Sequence, residues 1–443
     1  MSLSEIEAGR DAVEQGTQRP KGLAVDIRER DVVIVGGGFA GLACAKALGE
    51  AGVSTAVVDR SNHHLFQPLL YQVATAALSP ADIAQPIRSI LSPYDSVDVV
   101  MGEVAKADVD ARTVTLKDGL TLRWRALVLA TGSEYSYFGR DDWKRFAPGL
   151  KTIEDARSIR SRLLRNFEEA EAEDDPVRQR ALMTVLVIGG GPTGVELAGA
   201  VAELARWTLA GDFRHIDPSS ARIILVEAGP RVLGQFPEKL AEYALRELEG
   251  LGVTVWTGRK VEDIDDRGAI VAGECVEAGL VVWAAGVKAT PAAALIGVTP
   301  DRSGKIAVNP DLSVAGAPGV YALGDIAALA QDGRPLPALA QVAKQQGQYL
   351  GARLPLLLEG EAAAEPFRFN DRGNAAVIGR HAAVFDVKGR LFMGRLAWLM
   401  WAIVHVFLLV GLERRLLVIL QWIWRYFTYK RGARLIRHEV PNE

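Results

Sequence analysis

Along the chain, short runs of branched apolar residues alternate with longer stretches in which apolar positions recur every three or four residues. This is the pattern of buried parallel strands joined by helices. The first clear run, DVVIV at 31–35, opens into GGGFAG at 36–41, an alanine-rich helical stretch over 42–48 and a second apolar run over 54–58 that ends in Asp59. The same order returns one domain length later: VLVI at 185–188, GGGPTG at 189–194, a helical stretch over 195–209, and RIILV at 222–226 ending in Glu227. LVLATG at 127–132 and VVWAAG at 281–286 each leave an apolar strand through a turn of small residues. The charged stretch 154–173 predicts a helix linking the two units.

Beyond residue 390 the pattern changes. Residues 396–412 are almost all apolar, with His405 the one ionisable group; as a helix they would span about 26 Å, just short of the roughly 30 Å hydrocarbon core. Glu413, Arg414 and Arg415 interrupt the run, and a second helical pattern follows. There a polar stripe of Arg414, Gln421, Arg425 and Thr428 opposes Leu417, Leu420, Ile423, Trp424 and Phe427, predicting an amphipathic helix.

The two glycine-rich turns carry a specific chemistry. In each, the first glycine (Gly36, Gly189) permits a tight turn, the second (Gly38, Gly191) lets a pyrophosphate approach the backbone, and the third (Gly41, Gly194) lets helix and strand pack closely. The helix N-terminus then presents free N–H groups and the positive end of its dipole to phosphate. Asp59 and Glu227, at the ends of the next strands, are placed to accept ribose hydroxyls. The turns at Thr131–Gly132 and Gly286 let the chain leave the sheet beside the bound dinucleotide.

Composition narrows the class. A chain of 443 residues exceeds one ordinary core and implies two or three domains. With 49% hydrophobic and 24% charged residues the protein is folded, yet the mean hydropathy of +0.11 is high for a wholly soluble one, and the tail accounts for it. Four of the nine tryptophans, Trp398, Trp401, Trp422 and Trp424, fall there, as suits a membrane interface. A net charge of -3 with mixed signs excludes a nucleic-acid footprint. The only two cysteines, Cys44 and Cys275, form no CxxC pair and read as small core residues. His63 and His64 read as polar turn residues, and no metal site is expected. Residues 1–30 read as a disordered leader without an export signal, which leaves the main body on the cytoplasmic side of a membrane.

With these motifs in this order, and YALGDI at 321–326 after them, the chain resembles the two-dinucleotide-binding flavoproteins. More closely it resembles the type II NADH dehydrogenases, the single-chain NADH:quinone oxidoreductases that pump no protons. NHHLFQPLLYQVA at 62–74 is similar to the family's segment along the flavin, and GGGPTGVELA at 189–198 to its nicotinamide fingerprint. AQVAKQ at 340–345 fits its AQxAxQ quinone motif, and the hydrophobic tail completes the likeness.

The resemblance implies an α/β fold of two Rossmann-like dinucleotide-binding domains, the nicotinamide domain inserted in a split FAD domain, plus a C-terminal helical membrane-anchoring region. The expected divisions are 31–150 and 291–370 for FAD, 151–290 for NADH and 371–443 for the anchor. FAD is then expected at Gly36, Gly38, Gly41, Asp59, Gln67, Thr131, Gly132, Asp325 and Gln341, and NADH at Gly189, Gly191, Gly194, Glu196, Glu227 and Gly286. Glu227 repels a 2′-phosphate, although Arg231 nearby could tolerate one. Glu196, near the incoming phosphates at the start of its helix, is expected to contact the nicotinamide side and serve in proton delivery to the quinone. Gln341 and Gln345, one turn apart, are expected to offer uncharged hydrogen bonds to quinone carbonyls. The partners implied are NADH, a membrane quinone (ubiquinone or menaquinone), one leaflet of the inner membrane and a second copy in a homodimer. A sulfide:quinone oxidoreductase, a soluble ferredoxin or rubredoxin reductase and a non-catalytic NADH-sensing flavoprotein share parts of this layout.

Overall fold

The computed structural model describes residues 27–361, 365–408, 412–428 and 433–436. Of the leader expected over 1–30, residues 1–26 lie outside the described residues, while 27–30 open the strand Ile27–Val35. They pair in parallel with Thr121–Trp124. Ile27, Arg28 and Glu29 are exposed and Arg30 is half-buried, so no apolar pattern announces the extension.

In the first sheet Ile27–Val35 lies between Thr55–Asp59 and Thr121–Leu129, all parallel, because both faces of these strands are covered. The linking helix Ile153–Glu171 begins at a capping box: the Thr152 side chain accepts from Asp155 N–H, and the Asp155 carboxylate accepts from Thr152 N–H. A second parallel sheet follows in the order Val253–Thr257, Arg222–Glu227, Thr184–Ile188, Leu280–Trp283. The chain then returns to the first sheet, where Val320–Ala322 pairs in parallel with Leu127–Leu129. The second unit is therefore inserted into the first. Ser133–Tyr135 and Val287–Ala289, on the two crossing connections, pair antiparallel.

The helix expected over 195–209 is α-helical only as Pro192–Glu203 and widens to a π-helix over Leu204–Thr208. The helix Ala340–Leu358 lies against the first fingerprint helix, Phe39–Glu50, closely enough that a Cβ on Gly347 would sit 2.1 Å from the Ala40 carbonyl oxygen.

The segment 371–443, expected as helical, begins with a three-stranded antiparallel sheet, Asn374–Ile378, Ala382–Val387 and Arg390–Gly394. The helices Arg395–Leu408 and Leu412–Thr428 follow. The first is described over 14 residues, or about 21 Å, residues 409–411 of the expected run lie outside the described residues, and no described helix is long and apolar enough to cross a membrane. Leu396, Leu399, Ile403 and Phe407 are exposed on one helix and Leu416, Leu420, Ile423 and Trp424 on the other. Of the polar stripe, Gln421 turns inward and donates to Asp82 at 3.3 Å, and the neighbouring Trp422 indole N–H donates to Gln72 at 3.0 Å. The side chains of Arg414, Arg425 and Phe427 lie outside the described residues. His405 also turns inward, its ring 4.4 Å from that of Trp401 and its Nδ1 2.8 Å from the Trp401 carbonyl oxygen. Burial pushes it down to about 4, so it sits neutral in the apolar helix.

Candidate dinucleotide and electron-transfer site

The two fingerprint turns are near copies in three dimensions. Gly36 and Gly189 hold φ of 107° and 110°, in the region that favours glycine. A Cβ on Gly41 would lie 1.8 Å from the Gly36 oxygen, and one on Gly194 would lie 1.8 Å from the Gly189 oxygen. A Cβ on Gly38 or Gly191 would meet no protein atom within 4 Å, so the middle glycine leaves its space to a ligand. The acids are organised alike. Asp59 accepts from Gly37 N–H at 2.6 Å and Ser61 N–H at 2.7 Å; Glu227 accepts from Gly190 N–H and Gly229 N–H, both at 2.6 Å. Each carboxylate thus braces its own glycine turn and still has lone pairs for a ribose. Both cradles fit a dinucleotide.

Around the first cradle the structure assembles residues from distant segments. His64 is buried, not a turn residue, and its Nδ1 lies 3.1 Å from the Gly37 carbonyl oxygen. Thr131 bonds Thr290 at 2.5 Å beside Gly132. Gln67 donates to the Lys151 carbonyl at 3.3 Å. The Lys151 ammonium donates to Ser133 at 2.7 Å, and Ser133 donates to Asp325 at 2.5 Å. Burial lowers the Lys151 pKa while Asp325 opposes the shift. Gln346, fully buried, accepts from Gly324 N–H at 2.6 Å and so fixes the turn that carries Asp325. Sequence reasoning missed Ser133, Lys151, Thr290 and Gln346. Only the position of Gln346 beside AQVAKQ hinted at one of them.

Glu196, expected near the incoming phosphates and on the nicotinamide side, stands on the face of its helix that meets the C-terminal sheet. It is half-buried there, accepting from Val377 N–H at 3.3 Å. It lines a cleft open to solvent, together with Tyr71 and Gln72 from the segment 62–74 and the adjoining Thr75. Burial pushes its carboxyl up to about 8, so the group carries a proton at neutral pH. Gln341 and Gln345 are also differently engaged from the expectation of open amides. Gln341 bonds the carbonyl of Gly373 and the N–H of Arg372, and Gln345 bonds both the carbonyl and the N–H of Asn370. The motif clips its helix to the irregular segment 370–373 that leads into the C-terminal module.

Cys44 is buried in the first fingerprint helix, and burial pushes its thiol to about 12. Cys275, expected in the core, is exposed on the antiparallel strand Glu274–Glu277, because that sheet covers the core with one face only. The two thiols are on different domains.

Comparison with known proteins agrees with this architecture. Residues 30–347 match the pyridine nucleotide-disulphide oxidoreductase family, and residues 372–430 match the NDH2 C-terminal domain. The chain is similar to two type II NADH:quinone oxidoreductases of Mycobacterium tuberculosis. It is 40% identical to Ndh, covering 91% of this chain and 90% of that one, and 41% identical to NdhA, covering 94% and 91%. The structure of NDH2 from Plasmodium falciparum in complex with NADH shares the fold, with a TM-score of 0.84 over 92% of this chain and 100% of that one at 19% identity. The sulfide:quinone oxidoreductase of Aquifex aeolicus is further away, at 0.70 and 16% identity over 93% and 96%. Twin dinucleotide cradles, a nested second domain and the matching C-terminal module together place the chain in the type II NADH:quinone oxidoreductase family.

Proposed function

We propose that this protein oxidises NADH and reduces a lipid quinone, ubiquinone or menaquinone, through FAD and without pumping protons. The observation that carries this reading is the pair of glycine-and-acid cradles nested in one chain, with the half-buried Glu196 carboxyl in the cleft where Tyr71, Gln72 and Thr75 meet the second fingerprint helix.

In this reading Gly36, Gly38, Gly41 and Asp59 hold the adenylate end of FAD, with Gln67, Thr131, Gly132, Asp325 and Gln341 along the rest. Gly189, Gly191, Gly194, Glu227 and Gly286 hold NADH against Glu196. The flavin, when bound, accepts the hydride and passes on its electrons; the protein's part is position, electrostatics and exclusion of water. Glu227 disfavours a 2′-phosphate. Arg231, which donates to the carbonyls of Gly234 and Phe236 at 3.1 and 3.3 Å, is engaged in its own loop rather than held out to meet one. Gln341 and Gln345 act by holding residues 370–373 against the helix that faces the flavin. Glu196 supplies a proton as the quinone is reduced. The apolar faces of the two terminal helices enter one leaflet on the cytoplasmic side of the inner membrane, and the working unit is a homodimer. The division into 31–150 with 291–370, 151–290 and 371–443 follows the same assignment.

Purified in detergent, the protein should be yellow, bleach with NADH and recolour with a quinone analogue. Bleaching without recolouring would overturn the reading in favour of an NADH sensor.

A further inference from the structure

The order of strands in the second sheet fixes the order in which a dinucleotide lies across it. Its pyrophosphate belongs at the N-terminus of the helix Pro192–Glu203, which follows the strand Thr184–Ile188. Glu227, ending the neighbouring strand on one side, takes the adenosine ribose. The nicotinamide half is thereby directed to the neighbour on the other side, Leu280–Trp283, and to the turn 284–286 that leaves it. That turn abuts the fingerprint itself: a Cβ on Gly189 would lie 2.7 Å from the Ala284 carbonyl oxygen.

At this turn the two units stop being copies. Gly132 and Gly286 hold the same backbone, with φ of 74° and 76°. A Cβ on Gly132 would meet no protein atom within 4 Å, whereas one on Gly286 would stand 2.6 Å from the tip of the Phe138 ring. Phe138 is 72% exposed and holds φ of 52°. A bulky side chain is strained in that region, and a ring left in water gains little burial in return. Folding alone does not account for it. The ring is nonetheless fixed in place. Trp283, itself buried, meets it edge-on at 6.1 Å and donates its indole N–H to the Ser136 carbonyl at 3.0 Å. Ser136 N–H donates to the Gly286 carbonyl at 3.3 Å, and Ser136 Oγ accepts from Phe138 N–H at 3.3 Å.

We infer that Phe138 is the apolar wall of the nicotinamide pocket, its ring packing against the dihydronicotinamide of NADH beside Gly286. The inference rests on the reading that the second cradle binds NADH. The dihydronicotinamide ring is flat and uncharged, so a phenyl ring can cover one of its faces and keep water from it. Burial of the Phe138 ring on binding offsets the strain at that residue. A wall of this kind fixes the tilt of the nicotinamide toward the flavin, and hydride transfer is sensitive to such placement.

Full-length, flavin-loaded enzyme mixed with NADH in the absence of oxygen tests this, with flavin bleaching followed against NADH concentration. Phe138→Ala should raise the concentration that gives half the maximal bleaching rate about tenfold, as expected for one covered phenyl face. Reoxidation by a short-chain ubiquinone should stay at the wild-type rate. ADP-ribose, which carries the same adenosine and pyrophosphate without nicotinamide, should compete as well against the variant as against wild type. Phe138→Leu should recover part of the NADH affinity. Phe138→Gly removes the ring and the strain together, so its thermal midpoint should equal or exceed that of wild type while NADH binds more weakly. Wild-type NADH dependence in Phe138→Ala overturns the inference, as does an equal weakening of ADP-ribose. Loss of flavin or a lower thermal midpoint in Phe138→Gly assigns the ring to the fold and also overturns it. A wild-type enzyme whose flavin NADH fails to bleach would instead sink the parent reading, and this inference with it.

Discussion

The third glycine of each fingerprint gives a test in which one methyl group separates the two cofactor assignments. In Gly194→Ala the new Cβ would stand 1.8 Å from the Gly189 oxygen, against 3.4 Å or more for ordinary contact, so helix and turn must separate by about 1.5 Å. Overpacking of this kind costs about 1 to 3 kcal/mol, and it falls on the N–H groups aimed at the pyrophosphate. At about 1.4 kcal/mol per decade, NADH should bind about tenfold to a hundredfold more weakly, while the protein stays yellow. Gly41→Ala, with the same 1.8 Å contact at Gly36, should lose flavin on purification. Gly191→Ala is the control. Its backbone is extended, at φ -72° and ψ -179°, and its Cβ meets no protein atom within 4 Å. The fold should be unaffected and the whole loss of affinity due to contact with the ligand. Flavin content comes from the absorbance of released flavin, and NADH affinity from the concentration dependence of flavin bleaching. Flavin loss in Gly194→Ala with NADH affinity intact would refute the assignment.

Other expectations follow from the same geometry. The proton affinity of Glu196 rises from an ordinary 4.5 to about 8 on folding, so the folded protein keeps a proton across that window that the unfolded chain has released. Stability should therefore fall as pH rises from 4.5 to about 8 and level off above it, and Glu196→Gln should make the thermal midpoint flatter across that range; equal slopes would contradict this. Gln341→Ala removes two hydrogen bonds to residues 372 and 373, for a loss of about 2 kcal/mol, with faster proteolytic cutting near residue 370. Phe407→Asp with Leu420→Asp alters side chains that are 73% and 63% exposed. At about 1.5 to 3 kcal/mol per apolar side chain, sedimentation with liposomes should drop by about tenfold or more while reduction of ferricyanide continues. A thiol reagent should label Cys275 in the native enzyme and Cys44 only after unfolding, and Cys275→Ser should retain quinone turnover; loss of turnover would revive a thiol mechanism.

Local chemistry was legible in the chain, and the partners of buried polar groups were not. The fingerprints could be read because the third glycine of each acts on a residue five positions away, Gly41 on Gly36 and Gly194 on Gly189, although the first glycine of each is packed against the distant Ala130 and Ala284. Ser133, Lys151 and Asp325, by contrast, meet only because the second unit is inserted between strands of one sheet. The antiparallel strands of 374–394 give a weak apolar signal because small residues, Ala376, Ala382 and Ala383, make up much of their buried surface, and the tail that follows dominates the composition.

The sequence by itself determined two dinucleotide turns, the acids that end the next strands, and two terminal helices with apolar faces. The close turn-to-helix packing and the apolar helix faces depend on residues a few positions apart, where backbone sterics and helical period act directly. Tertiary structure decided which way the polar groups face. Gln341 and Gln345 hold the backbone of 370–373, Gln421 turns inward to Asp82, and Glu196 faces the cleft that Trp401 lines. A buried polar group takes the partner that folding brings to it, and these partners are separated from it by tens to hundreds of residues of chain.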